Sequence, residues 1–143
     1  MAVKRQSILV LCTANSARSQ MAEGLLRHDF ADLFDVVESA GARATFVRPE
    51  AVLAMRQIGV DISGQRSKSI DEFAAATFDC VVTVCDNARE SCPVYPGHSA
   101  RRIHHAFADP AALQGTEDER VDEFARVRDQ IRAWLAATFR SST

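Results

Sequence analysis

The stretch SILVLCTANSARSQMAEGLLRHDF, residues 7–30, decides the reading of the chain. Residues 7–12 form a continuous apolar run ending in a thiol, the pattern of a strand buried on both faces. Residues 19–30 set Met21, Ala22, Leu25 and Leu26 on one side of a helix. Between Cys12 and Arg18 lie the five residues TANSA. A loop so placed curls its N–H groups around an anion, and the start of the helix adds partial positive charge. Arg18 completes the cradle with a two-pronged fork on two oxygens. The same field favours the thiolate form of Cys12. Ser19 is placed to donate a hydrogen bond to that thiolate, and Asn15 to brace the loop. Thiol and guanidinium therefore address one ligand, a tetrahedral oxyanion, held by the loop Thr13, Ala14, Asn15, Ser16, Ala17, Arg18 and Ser19. An alternative stays open at this point. Cys12 can be a buried strand end and Arg18 an ordinary helix residue, since C-x5-R also arises by chance.

Outward from this stretch, strand-like and helix-like periods alternate. Residues 35–41 suit a second strand ending at a glycine turn. Residues 48–60 suit a helix opened by Pro49 and ended near Gly59. Residues 78–85 make the clearest buried strand and 101–107 a weaker one. Val121, Phe124, Val127 or Arg128, Ile131 and Trp134-Leu135 recur at helical spacing, giving a long amphipathic C-terminal helix. The expected fold is α/β, a three-layer arrangement of a four-stranded parallel sheet in order 2-1-3-4 with helices on both faces, in one domain over residues 1–143. In such a sheet the ligand sits beyond the carboxyl ends of the strands, at the switch point. Cys12 ends the first strand and Cys85 the third, so the topology sets these thiols side by side at that crevice. Cys80, five residues before Cys85, reads as core packing on the opposite face.

Composition narrows the classes. Of 143 residues, 25% are charged, and the charges nearly cancel to a net −2, so no basic or acidic block calls for nucleic acid or a membrane surface. The Arg101-Arg102 pair reads as a solvated edge. The apolar run after Lys4-Arg5 is a poor signal peptide, and no run approaches the ~18 apolar residues of a membrane span. A cytoplasmic location is expected, where thiols stay reduced. The four cysteines then read as catalytic, metal-binding or buried.

CTANSARSQMAEGLL resembles the signature of the low-molecular-weight tyrosine phosphatase fold and, more closely, of the arsenate reductases built on it. The similarity extends through SAG (39–41), DIS (61–63), VVTVCDNARESCPVYPG (81–97) and FADPA (107–111). The resemblance implies Cys12 as nucleophile and Arg18 as oxyanion ligand. A phosphatase needs one cysteine, because ester cleavage transfers no electrons. Here Cys85 and Cys92 stand in addition, and two thiols closing to one disulfide supply the two electrons that arsenic(V) accepts. The expected sequence is attack of Cys12 on arsenate, then of Cys85 on Cys12, then of Cys92 on Cys85. Thioredoxin, by resemblance, or a similar redox protein then reduces the last bond. No tightly bound cofactor is expected, the reducing equivalents coming from a dithiol protein, and a monomer is the family expectation. Phosphate and sulfate are expected mimics of arsenate.

A disulfide needs Cα atoms within about 7 Å, whereas a helical 85–92 segment would hold them about 10 Å apart. Residues 86–98 are therefore expected to change conformation between reduced and oxidised states. Pro93, Pro96 and Gly97 disfavour a long helix there. Alternatives for Cys85 and Cys92 are inert burial, or a metal site with His98, His104 and His105, although zinc sites usually space paired cysteines by about two to four residues. These histidines and His28 otherwise read as surface or packing positions.

Pro110 holds Asp109 extended, and the resemblance makes Asp109 the general acid. The alternative is that Asp109 only caps a short helix begun by Pro110. Ala14 replaces a glycine of many relatives, so no glycine-only backbone angle is expected there. Some relatives bind a monovalent cation through an Asn, a Glu, a Ser and an Asp. Asn15, Glu23 and Ser39 match, but Lys68 takes the place of the Asp, either as an ammonium substitute bracing Asn15 and Glu23 or as an exposed lysine. The other functional readings are a phosphatase acting on aryl phosphates, and a non-catalytic thiol sensor or metal-binding module.

Overall fold

The computed structural model describes residues 4–86 and 90–140. Four strands, β1 (Gln6–Cys12), β2 (Phe34–Gly41), β3 (Thr77–Thr83) and β4 (His98–His104), form one parallel sheet in the order β2-β1-β3-β4. This is the expected order, with β1 central. Ile8, Val10 and Cys12 face one core cluster and Leu9 and Leu11 the other, and each is at most 2% exposed. A strand covered on both faces has no polar side, which is why its sequence does not alternate.

The α-helices are α1 (Arg18–Asp29), α2 (Pro49–Arg56) and α3 (Glu117–Phe139). They pack on one another and share the cluster that holds Ile8, Val10 and Cys12. A 3₁₀ turn at Ile70–Phe73 and the segment around Tyr95 close the other face over Leu9, Leu11, Phe78 and Val81. Helical cover on the two faces is thus unequal. Pro93 and Pro96 keep the segment around Tyr95 from forming a helix on this thinner side.

The helix ends carry legible chemistry. Val60 N–H donates to Met55 O and Gly59 N–H to Arg56 O, with Gly59 at φ +78°. This is a Schellman cap, and it needs a residue at ease in the left-handed region. Thr116 and Glu119 form a reciprocal capping box at the start of α3. Both Val127 and Arg128 are buried, resolving the position left open by periodicity. The Arg128 guanidinium donates to Ala54 O and Gln57 Oε1 and so clamps α3 to the end of α2.

Two strand readings shift at their ends. β3 stops at Thr83, two residues before Cys85. Val84 still donates to Leu11 O, but Cys85 leaves the sheet for a disulfide with Cys92. Cys80 and Cys85 consequently lie in the same core cluster, not on opposite faces. Alternation holds only while the strand continues, and Val84 and Cys85 are both buried past its end. β4 begins at His98, three residues early, and is a polar edge strand. The Arg101 and Arg102 side chains on it lie over Phe139 and Tyr95, and charge on an edge discourages pairing with another sheet. No helix among the described residues is long and apolar enough to cross a membrane.

Candidate active site

The loop from Cys12 to Arg18 sits where β1 delivers the chain to α1. Ala17 at the helix start offers no side-chain cap, so no capping side chain takes up the first amides of α1. Asn15 adopts φ 49°, a left-handed conformation that asparagine tolerates better than most residues. The positive angle falls on Asn15 and not on Ala14, as the alanine requires. Asn15 is fully buried. Its Nδ2 donates to Ser19 Oγ (2.7 Å) and Ser39 Oγ (2.9 Å), while its Oδ1 accepts from Gln20 Nε2 (2.9 Å) and the Lys68 amide (2.8 Å). The loop is thus held from behind by α1, β2 and the chain before the 3₁₀ turn.

Cys12 Sγ lies 2.8 Å from Ser19 Oγ. Because Asn15 Nδ2 can only donate, Ser19 Oγ accepts there and keeps its own proton for the sulfur. Cys12, Arg18 and Asp109 line one cavity together with Thr13, Ala14, Ser16, Ala17, Arg43 and Glu90. Arg18 is 4% exposed. Burial opposes its charge, but the bond to Glu90 and the fields of Cys12, Glu90 and Asp109 outweigh this and raise its pKa above the ordinary arginine value. Arg18 Nη1 also donates to Phe107 O (3.1 Å), and Nε is buried with no described partner. The 107–109 segment is tied to the chain just past β3 through Phe107 N–H to Val84 O. Asp109 Oδ1 caps the 3₁₀ turn Pro110–Ala112 through the Ala111 amide (3.0 Å). Its carboxyl group therefore caps a helix and also stands at the cavity of Cys12.

Cys85 and Cys92 are joined as a disulfide with their Cα atoms 5.9 Å apart, within bonding range. Cys85 is fully buried next to Val84, whose amide bonds Leu11 O one residue before Cys12. Cys92 is only half-buried, and beside it lies a groove lined by Pro93, Val94, Arg102 and Ile103. Of the expected moving segment, residues 87–89 lie outside the described residues. Cys80 is free and buried, and burial pushes its thiol up to about 11, which suits packing. Among the described residues no group of three or more His, Cys, Asp and Glu side chains could hold a metal ion. His104 bonds Thr83 and His105 stacks on Trp134.

Lys68 is 5% exposed, so the exposed-lysine alternative fails. Its ammonium lies 3.5 Å from Glu23 and 3.2 Å from Glu38, and Glu23 also accepts from Ser39 Oγ (2.6 Å). The ammonium braces Glu23 directly, whereas Asn15 is held by the Lys68 backbone amide.

Several participants were not legible in the sequence. Gln20, fully buried, donates to Asn15 and Arg66 and accepts from Gln65. Gly41 closes β2 against the loop, where a Cβ would meet Asn15 N at 2.7 Å and Thr13 O at 2.8 Å. Glu90 binds Arg18 with both oxygens (2.5 and 2.8 Å) and accepts from Thr13 Oγ1 (2.6 Å) and the Asp86 amide (2.9 Å). Burial alone would raise the Glu90 pKa, but its bonds to Arg18, Thr13 and the Asp86 amide bring it down to about 2. A glutamate between two cysteines carries no signal of this role.

Comparison with known proteins bears on the chemistry. A family model described as low molecular weight phosphotyrosine protein phosphatase matches residues 7–141. The arsenate reductase of Halalkalibacterium halodurans is 46% identical over 129 residues, 90% of this chain and 91% of that protein. A solved arsenate reductase in oxidized state is similar with a TM-score of 0.75 and 28% identity, over 92% of this chain and 94% of that one. A thioredoxin-dependent arsenate reductase of Corynebacterium glutamicum gives a TM-score of 0.61 and 25% identity, over 99% of this chain and 66% of that one.

Proposed function

The chain belongs to the low molecular weight phosphotyrosine protein phosphatase family, and from that premise we propose that it reduces arsenate to arsenite by a relay of three cysteines. The observation that carries this reading is the Cys85–Cys92 disulfide beside a cradle that keeps Cys12 free and faces it with Arg18. Ester hydrolysis has no use for a second and third thiol at that place. A two-electron reduction does.

Arsenate sits on Arg18 and the loop amides. The Cys12 thiolate, steadied by Ser19, attacks arsenic, and Asp109 gives a proton to the oxygen that leaves as water. Cys85 attacks the sulfur of Cys12. The Cys12–arsenic bond breaks, its electron pair stays on arsenic, and arsenite departs as Cys12–Cys85 forms. Cys92 attacks Cys85 and frees Cys12, leaving the Cys85–Cys92 bond. A dithiol protein of the thioredoxin class then takes on that disulfide. Attack on the Cys92 sulfur suits the burial, since Cys85 is sealed in the core and Cys92 is not. Lys68 supplies the positive charge beside Glu23 that a monovalent cation supplies in some relatives. Because the cradle is that of a phosphatase, slow hydrolysis of aryl phosphates is expected as a side activity.

Thiol counting tests the class. The reduced protein loses two thiols per arsenate consumed, and peptide mapping finds them as Cys85–Cys92. Cys85→Ser and Cys92→Ser abolish multiple-turnover arsenite production with a dithiol donor while sparing p-nitrophenyl phosphate hydrolysis. Full arsenite turnover by Cys92→Ser overturns the relay.

A further inference from the structure

On the premise that the cradle binds a tetrahedral oxyanion, we propose that Glu90 is the cradle's internal ligand in the disulfide state, a carboxylate that takes the oxyanion's place once Cys85 and Cys92 have joined. Four donors converge on this one side chain. Arg18 Nη1 and Nη2 each reach one oxygen, Thr13 Oγ1 reaches Oε1 and the Asp86 amide reaches Oε2. Thr13 is the first residue of the anion loop and Arg18 is the first residue of α1 after TANSA. The Glu90 side chain is 17% exposed in this position, which is low for a carboxylate on an irregular segment. Its contacts are thus those of a bound ligand.

Two physical effects link this contact to the redox state. The first is electrostatic. Arsenite leaves as a neutral species, so its departure strips the anion from Arg18, a guanidinium that is 4% exposed. A buried unpaired cation is costly, and Glu90 is the group that removes the cost. The second is chain geometry. Glu90 lies two residues before Cys92, inside a ring closed by a disulfide of sequence separation seven. Closing that ring confines the carboxylate near Cys85 and raises its effective concentration at the cradle. Opening the ring releases it, and the cradle is then available to an incoming anion.

Glu90 thereby orders the cycle. Oxidised protein cannot sequester arsenate that it lacks the electrons to reduce, and the dithiol donor, by breaking the Cys85–Cys92 bond, also readies the anion site. An oxyanion and Glu90 compete for the same fork, so the apparent affinity of the oxidised form is lowered by the fraction of molecules in which Glu90 occupies it.

The test is calorimetric titration with inorganic phosphate, which binds without consuming thiols. It is run on wild type and Glu90→Gln, each fully reduced and each mapped as Cys85–Cys92 oxidised. Oxidised wild type is expected to bind phosphate about tenfold or more weakly than oxidised Glu90→Gln, and the reduced proteins to bind alike. Glu90→Ala repeats the comparison without an amide that could still accept from Arg18. Equal affinities of the oxidised proteins overturn the proposal, as does an equal gain in both redox states. Absence of phosphate binding in every form, reduced wild type included, is a separate pattern that removes the oxyanion cradle itself.

Discussion

Lys68 holds its ammonium 3.5 Å from Glu23 and 3.2 Å from Glu38 at a position that is 5% exposed. A buried charge is retained only with a partner, and removing one partner of such a pair costs about 3 kcal/mol or more. Lys68→Met is therefore expected to lower the melting temperature and to make activity dependent on added potassium. Wild type is expected to show no such dependence. A several-fold rise of wild-type activity with potassium refutes the assignment. The two free cysteines show the same rule of environment. Cys12 faces a hydroxyl and a guanidinium-bearing cavity, whereas burial pushes the Cys80 thiol up to about 11. Residue type and spacing separated these two thiols in advance, one at a strand end before a loop and one inside a strand. They could not reveal Glu90, whose role depends on where an irregular segment folds back.

Elements position the chemistry by where they stop. β1 stops at Cys12 and α1 starts at Arg18, so five residues form the loop between them. β2 stops at Gly41, and only the missing Cβ lets its backbone lie against Asn15, Ala14 and Thr13. Gly41→Ala is expected to push the loop away from β2. Overpacking of this kind costs about 1–3 kcal/mol, so the variant should fold with reduced thermal stability. It should lose most arsenite production and phosphate binding, because the contact atoms are backbone atoms of the anion loop. Wild-type phosphate affinity in Gly41→Ala would show that the loop does not lean on β2. The apolar pattern carries β3 two residues too far, because Val84 and Cys85 continue the apolar run after the ladder has ended. An apolar run marks burial, and burial outlasts the strand where the chain turns inward.

Across the whole molecule, a sheet buried between two cores carries a segment closed by the Cys85–Cys92 disulfide, the bond that the proposed relay makes and breaks. β1 and β3 lie between two cores, while the chain from Cys85 to Cys92 is tied by the disulfide and by Glu90. Reduction is expected to change amide exchange within residues 86–98 and to leave the β1 and β3 amides unchanged. A change spread evenly over the sheet, or none in that segment, contradicts a localised rearrangement. The strand order, the loop between β1 and α1 and the meeting of Cys85 with Cys92 were legible in the sequence. Periodicity, chain order and the Cys12-to-Arg18 spacing are properties of short segments, and parallel-sheet topology leaves few ways to assemble them. Only the tertiary structure decided that Glu90 lies on Arg18, 72 residues away, that Lys68 lies beside Glu23, 45 residues away, and that Gly41 supports the loop. Such contacts join distant segments through packing, and no local pattern encodes which distant side chain will fill a buried charge.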